Sequence, residues 1–171
     1  DLAHVLTYPG LGFGGDVEIG AQLWVVARVL EGLGLLLAVA MAGQRVNSWA
    51  FASVFAAFTG SALLSVMVLG SFPDCVGDGG GPTVFRVGAA AVVVAVLVGT
   101  AVLLVRRRAR FSPFVGRLLG LALVSTIASE VMVTLSAAPG DGLDVAAHLM
   151  KVVSMSAVYR AVIEGVLSRP Y

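Results

Sequence analysis

Charge is scarce in this sequence: Asp, Glu, Lys and Arg make up only 12% of its 171 residues. A soluble domain carries about twice that share, roughly a quarter, so a surface that faces water on all sides is excluded. One cysteine, Cys75, rules out an internal disulfide. The formal net charge of +1 offers nothing to a nucleic acid, and no such partner is expected. No basic-then-apolar opening marks a secretory signal peptide. Also missing are the ~10-residue strands of alternating polarity that a membrane β-barrel needs. No reliable metal-ligand spacing occurs, and Gly79-Gly80-Gly81 lies between apolar segments rather than after a strand. Ser125, Ser129 and His148 show no spacing that favours a nucleophilic triad.

What is present is apolar. Hydrophobic residues make up 58% of the chain and the mean hydropathy is +0.98. A hydrocarbon core of ~30 Å takes ~20 mostly apolar residues per helix, and five stretches qualify: 21–41, 48–70, 84–105, 115–136 and 143–166. The expected fold is all-α, a polytopic transmembrane bundle of five helices forming a single membrane-embedded module over 1–171. Ala56 and Gly60 on the second stretch have the spacing of a close helix contact.

The sign of the charge gives those helices a direction. Arg45 follows the first stretch, Arg106, Arg107, Arg108 and Arg110 follow the third with Arg117 entering the fourth, and Arg160 and Arg169 lie at the end. The alternate loops hold Asp16, Glu18, Asp74, Asp78, Asp141 and Asp144 without a Lys or Arg. Basic loops mark the cytoplasmic side, so residue 1 is expected outside and residue 171 in the cytoplasm. The outer loops, rich in Gly and Pro, read as short caps. Any ligand site is therefore expected within the bundle.

Seven ionisable groups remain: Arg28, Glu31, Arg86, Glu130, Lys151, His4 and His148. Such groups cost ~2.5–3.5 kcal/mol at the centre of a membrane helix; they persist when paired, when facing a cavity, or when they have a task. Helical rise puts Arg28 and Glu31 ~10–15 Å down the first helix, Glu130 ~9 Å from the outer end of the fourth, and His148 and Lys151 ~8–12 Å into the fifth. Trp24, Arg28 and Glu31 share a face at i, i+4, i+7, and so do His148, Lys151, Met155 and Tyr159; Thr126 and Glu130 line one stripe. Facing inward, these stripes would enclose a polar pocket in the outer half. The plainer alternative is structural: an Arg28–Glu31 pair within one helix and a Glu130–Lys151 bridge between two.

Several stretches together resemble the MASE3 family, a membrane-associated sensory domain of bacterial signalling proteins. They are Asp1-Leu-Ala-His4 with Tyr8 and Gly10, Gln22-Leu-Trp24 leading to Ala27-Arg28 and Glu31, and Phe72-Pro73-Asp74-Cys75. After these come Pro82-Thr83-Val84-Phe85-Arg86, Ser129-Glu130, His148-Leu-Met-Lys151, Tyr159-Arg160 and Arg169-Pro170-Tyr171. They run in order along essentially the whole chain. Arg86 stands where the family usually has lysine, and Gly81-Pro82-Thr83 replaces a Gly-Leu-Thr pattern. The family carries further helices before the Asp-x-x-His stretch, so this chain, which has no starting Met, is expected to be cut from a longer one. The resemblance implies a sensory input domain, not itself catalytic, ahead of a cytoplasmic histidine kinase of a two-component system or a diguanylate cyclase.

The expected ligand-binding residues are His4, Trp24, Arg28, Glu31, Arg86, Glu130, His148 and Lys151, for a small molecule or ion of unknown identity. The expected partners are the lipid bilayer, a signalling domain after Tyr171, and a second copy in a homodimer. The expected location is the bacterial inner membrane, multi-pass, with the C-terminus cytoplasmic. An alternative is a haem- or quinone-binding redox protein, with His4 and His148 as axial ligands; the same imidazoles are the metal candidates. A third reading, transporter or channel, lacks the paired Gly/Pro-interrupted segments of many transport sites.

Overall fold

Each helix among the described residues starts where a polar side chain can take up free backbone N–H groups, and runs on through the apolar stretch that follows. The computed structural model describes residues 16–44, 47–136 and 141–167. Helix α1 is Val17–Ala40. It begins four residues before the apolar stretch because Asp16 caps it: its Oδ1 accepts from Glu18 N at 2.9 Å, and its carbonyl accepts from Gly20 N at 3.0 Å. Helix α2 is Ser48–Leu64, capped by Asn47, whose side chain accepts from Trp49 N and Ala50 N. It continues as a π turn, Ser65–Leu69, and stops at Gly70, whose φ of 57° is left-handed. Helix α3 is Val84–Arg106, with the Thr83 hydroxyl accepting from Arg86 N at 3.3 Å. Helix α4, Pro113–Leu135, combines a Ser112 cap with proline in its first turn. Helix α5 is Gly142–Leu167, and the Asp141 carboxylate accepts from Asp144 N at 2.7 Å.

The fold is all-α, with five helices long and apolar enough to cross a membrane among the described residues. The chain divides into two compact units, 1–34 with 44–93 and 35–43 with 94–171.

In the first unit, Leu23 and Val26 of α1 bury against Val66 of the π turn, with Leu63 and Phe72 packed around them. Helix α2 contributes little else to a core. Ala56 and Gly60 are both exposed, so the small-residue spacing read as a helix contact faces outward; nothing lies within 4 Å of where a Cβ on Gly60 would sit. The loop from α2 to α3 folds back on itself. Gly77 N donates to Gly81 O at 2.8 Å, Thr83 N to Cys75 O at 3.1 Å, and the Thr83 hydroxyl to Asp74 O at 2.6 Å.

The second unit is dominated by α4 packed on α5. Ala122, Thr126, Ser129 and Glu130 are buried on α4, and Ala147, Ser154, Ala157 and Ala161 on α5. Small side chains let two backbones approach closely, which is the main route to helix association where lipid removes the hydrophobic driving force. Arginines of the α3–α4 loop serve another purpose here. Arg107 Nη1 donates to the Ala40 carbonyl and Arg110 Nη1 to that of Ala42 at 3.2 Å, placing positive charge on the free carbonyls at the C-terminal end of α1.

Candidate functional site

Among the described residues, each unit holds a buried ion pair. In the first, Trp24 and Arg28 lie one turn apart on α1, 9% and 5% exposed. Arg28 Nη1 donates to Glu31 Oε2 at 2.8 Å, an i, i+3 pair made by helical geometry alone. From α3, the Arg86 guanidinium carbon sits 5.4 Å from the centroid of the Trp24 ring, within the range of a cation–π contact. Because α1 begins at Val17, Arg28 lies ~16 Å and Glu31 ~21 Å along a helix of ~36 Å. This pair sits at the middle of α1, deeper than the outer-half placement expected from an Ala21 start.

The same unit contains a tie that sequence reasoning missed. Glu18 had been assigned to an outer loop, yet it occupies the first turn of α1 and grips the α2–α3 loop. Its Oε1 accepts from Cys75 N at 2.6 Å and its Oε2 from Val76 N at 2.7 Å. Gln22, one turn on, donates to Glu18 Oε1 at 2.9 Å and lies 3.4 Å from Pro73 O and 3.5 Å from Phe72 O. The i, i+4 spacing of Glu18 and Gln22 was the available signal. Held beneath this latch, Cys75 is fully buried. Burial pushes its thiol up to about 11; the Glu18 carboxylate adds to the rise, Arg86 opposes it and Asp74 adds to it.

In the second unit, Lys151 Nζ lies 3.5 Å from Glu130 Oε1, with the Glu130 side chain 2% exposed. One turn away, Thr126 Oγ1 and Ser154 Oγ meet at 2.6 Å, and Ser154 Oγ also donates to Ala122 O at 3.0 Å. The α4 stripe of Thr126 and Glu130 thus faces α5 as expected. The α5 face differs. Ala147, Ser154, Ala157 and Ala161 meet α4 because small residues permit the approach, and Lys151 reaches Glu130 from the edge of that stripe. His148, Met155 and Tyr159 point outward, and the His148 side chain is 59% exposed. Its Nδ1 lies 2.7 Å from Asp144 O and 3.6 Å from Asp144 Oδ1. No group of three or more His, Cys, Asp or Glu side chains gathers among the described residues. His4 lies outside them.

Two groups of opposite charge at membrane depth are held by each other, so protonation or ligand binding at either one alters the balance strongly in a medium of low dielectric constant. The family model described as MASE3, membrane-associated sensor domain, matches residues 1–170. The chain belongs to the MASE3 family. Its five membrane-crossing helices fit a multi-pass membrane sensor domain. No curated protein and no solved structure matches the chain. Among the stretches carrying the MASE3 resemblance, Gln22, Trp24, Arg28, Glu31, Cys75 and Arg86 all belong to the first unit, and Glu130 and Lys151 form the ion pair of the second.

Proposed function

We propose that this MASE3 domain is the membrane-embedded input half of a bacterial signalling protein. A small molecule or ion acts at its buried charges, and α5 passes the response to a signalling domain beyond Tyr171. The Glu130–Lys151 pair carries this reading. It is a buried ionic contact that joins α5 to α4, and α5 leads toward the end of the chain. A ligand that replaces one partner of the pair changes the α4–α5 packing energy, which is the differential affinity a two-state switch needs. In the first unit Arg28 and Arg86 offer positive charge, Glu31 negative charge and Trp24 an aromatic wall; in the second Lys151 offers positive charge and Glu130 negative charge.

The C-terminus is cytoplasmic in this reading, on the strength of the arginines between α3 and α4, and the membrane is the inner one. A homodimer brings two copies of α5 together. Leu149, Val152, Ser156, Tyr159 and Ile163, all exposed, recur at alternating steps of three and four, the period of a two-helix seam. The domain has no catalysis of its own.

The test uses the full-length protein in native membranes, with Glu130→Gln and Lys151→Ala compared against wild type for kinase or cyclase output. Both variants should hold the output at one level, shifted from wild type and no longer responsive to growth conditions. Wild-type output and responsiveness in both variants would overturn the reading. Fusions of a periplasm-active phosphatase and of a cytoplasm-fluorescent protein after Tyr171 check the orientation.

A further inference from the structure

The first unit contains, apart from its charges, an apolar groove of about 530 Å³. Its walls are Val25 and Val29 of α1, Phe58 of α2, and Phe85 and Gly88 of α3, with Phe72 of the loop among them; every lining side chain is apolar. Phe72 meets Phe85 edge-on, ring centroids 5.7 Å apart. Along α3 the wall runs from Val84 to Val92, ~12 Å of helix at 1.5 Å per residue. The hydrocarbon of one leaflet is ~15 Å deep, half of a ~30 Å core. Phe58 and Val92 are 48% and 62% exposed, so the groove opens sideways. For helices that cross a membrane, the medium on that side is lipid.

We propose that this groove binds one acyl chain of a membrane phospholipid. A polar ligand finds no hydrogen-bonding side chain in the lining, and water would lack the two to four polar partners that hold it in a cavity. Left empty, the walls lose dispersion contacts on one side. A hydrocarbon chain restores them, enters from the open side without crossing water, and is long enough to fill the groove. Gly88 supplies the room: no atom lies within 4 Å of where its Cβ would be. The chain would lie against Val25 and Val29 on the helix that carries Arg28, so lipid chain length and saturation bear directly on α1. The groove lining includes no charged residue, and the proposal does not depend on the sensor reading.

The full-length protein is extracted in mild detergent, stripped of lipid, supplied with palmitoyl-oleoyl phosphatidylglycerol and examined by native mass spectrometry. Gly88→Leu fills the groove. Gly99→Leu, on the same helix, outside the groove and equally open at its Cβ position, is the control. Wild type and Gly99→Leu should retain one phospholipid after detergent is removed, and Gly88→Leu about tenfold less. Should Gly88→Leu not fold, a phospholipid with a photoreactive acyl chain should label Phe58, Phe85 or Val92 of the wild type. Equal retention by Gly88→Leu overturns the proposal, as do no retained phospholipid, labelling only elsewhere, retention of an isoprenoid quinone instead, or a groove covered by a second copy.

Discussion

Arg28 and Glu31 meet across one turn of a single helix, whereas Glu130 and Lys151 meet across two helices from positions 21 residues apart. The first pair is made by the helical geometry of α1 alone. The second exists only while α4 and α5 keep their register, which Thr126, Ser154 and the Ala122 carbonyl hold one turn away. Both pairs relieve the cost of charge in a low-dielectric medium. The second links its charge balance to the α4–α5 register. The first unit has its own long-range tie, the Glu18 latch, which runs from the first turn of α1 to the α2–α3 loop.

Breaking the interhelical pair should have the largest effect. Lys151→Ala leaves a buried carboxylate and should cost about 3–5 kcal/mol, read as a lower melting temperature in detergent. Glu130→Gln with Lys151→Met, which removes both charges and keeps the volume, should recover most of it. Glu18→Ala should come next, at about 2 kcal/mol for lost charge-assisted bonds to backbone N–H groups. Its sharper readout is Cys75. With the thiol near 11, about one in a thousand is thiolate at pH 8, so wild-type alkylation is slow; the variant should react at least about tenfold faster. The folded thiol holds its proton above its ordinary value of 9.0. Its contribution to stability is therefore whole below about pH 9 and lost as pH rises through about 11.

Glu31→Gln should cost less, about 1 kcal/mol, because the amide oxygen stays on the same turn as Arg28. A loss as large as that of Lys151→Ala would erase the distinction between the two pairs. Thr126→Val is the mildest break, at about 0.6 kcal/mol for one hydrogen bond between membrane helices. If it nonetheless altered signalling output, the α4–α5 register would be shown to matter beyond its small energy.

Much of this arrangement was legible in the residues. Arg28–Glu31 follows from spacing, and Glu130–Lys151 from matching depths on neighbouring helices. The phase of α5 was not legible. His148 and Lys151 share a helical face by spacing, yet α4 selects Ala147, Ser154, Ala157 and Ala161, and that choice depends on which side chains are small enough to let it in. The start of α1 escaped too, because hydropathy finds the end of an apolar stretch and a carboxylate cap such as Asp16 finds the end of a helix. The role of Glu18 followed from that error.

By itself the sequence determined the number of helices, their medium, the family and the pairing of two acids with two bases, because apolar length and residue spacing are local properties of the chain. Tertiary structure decided which face of α5 meets α4, which loop Glu18 holds and where an apolar groove opens beside α3. Each of those depends on contacts between residues far apart in the chain, and such contacts are settled only when shape and hydrogen-bonding partners meet in space.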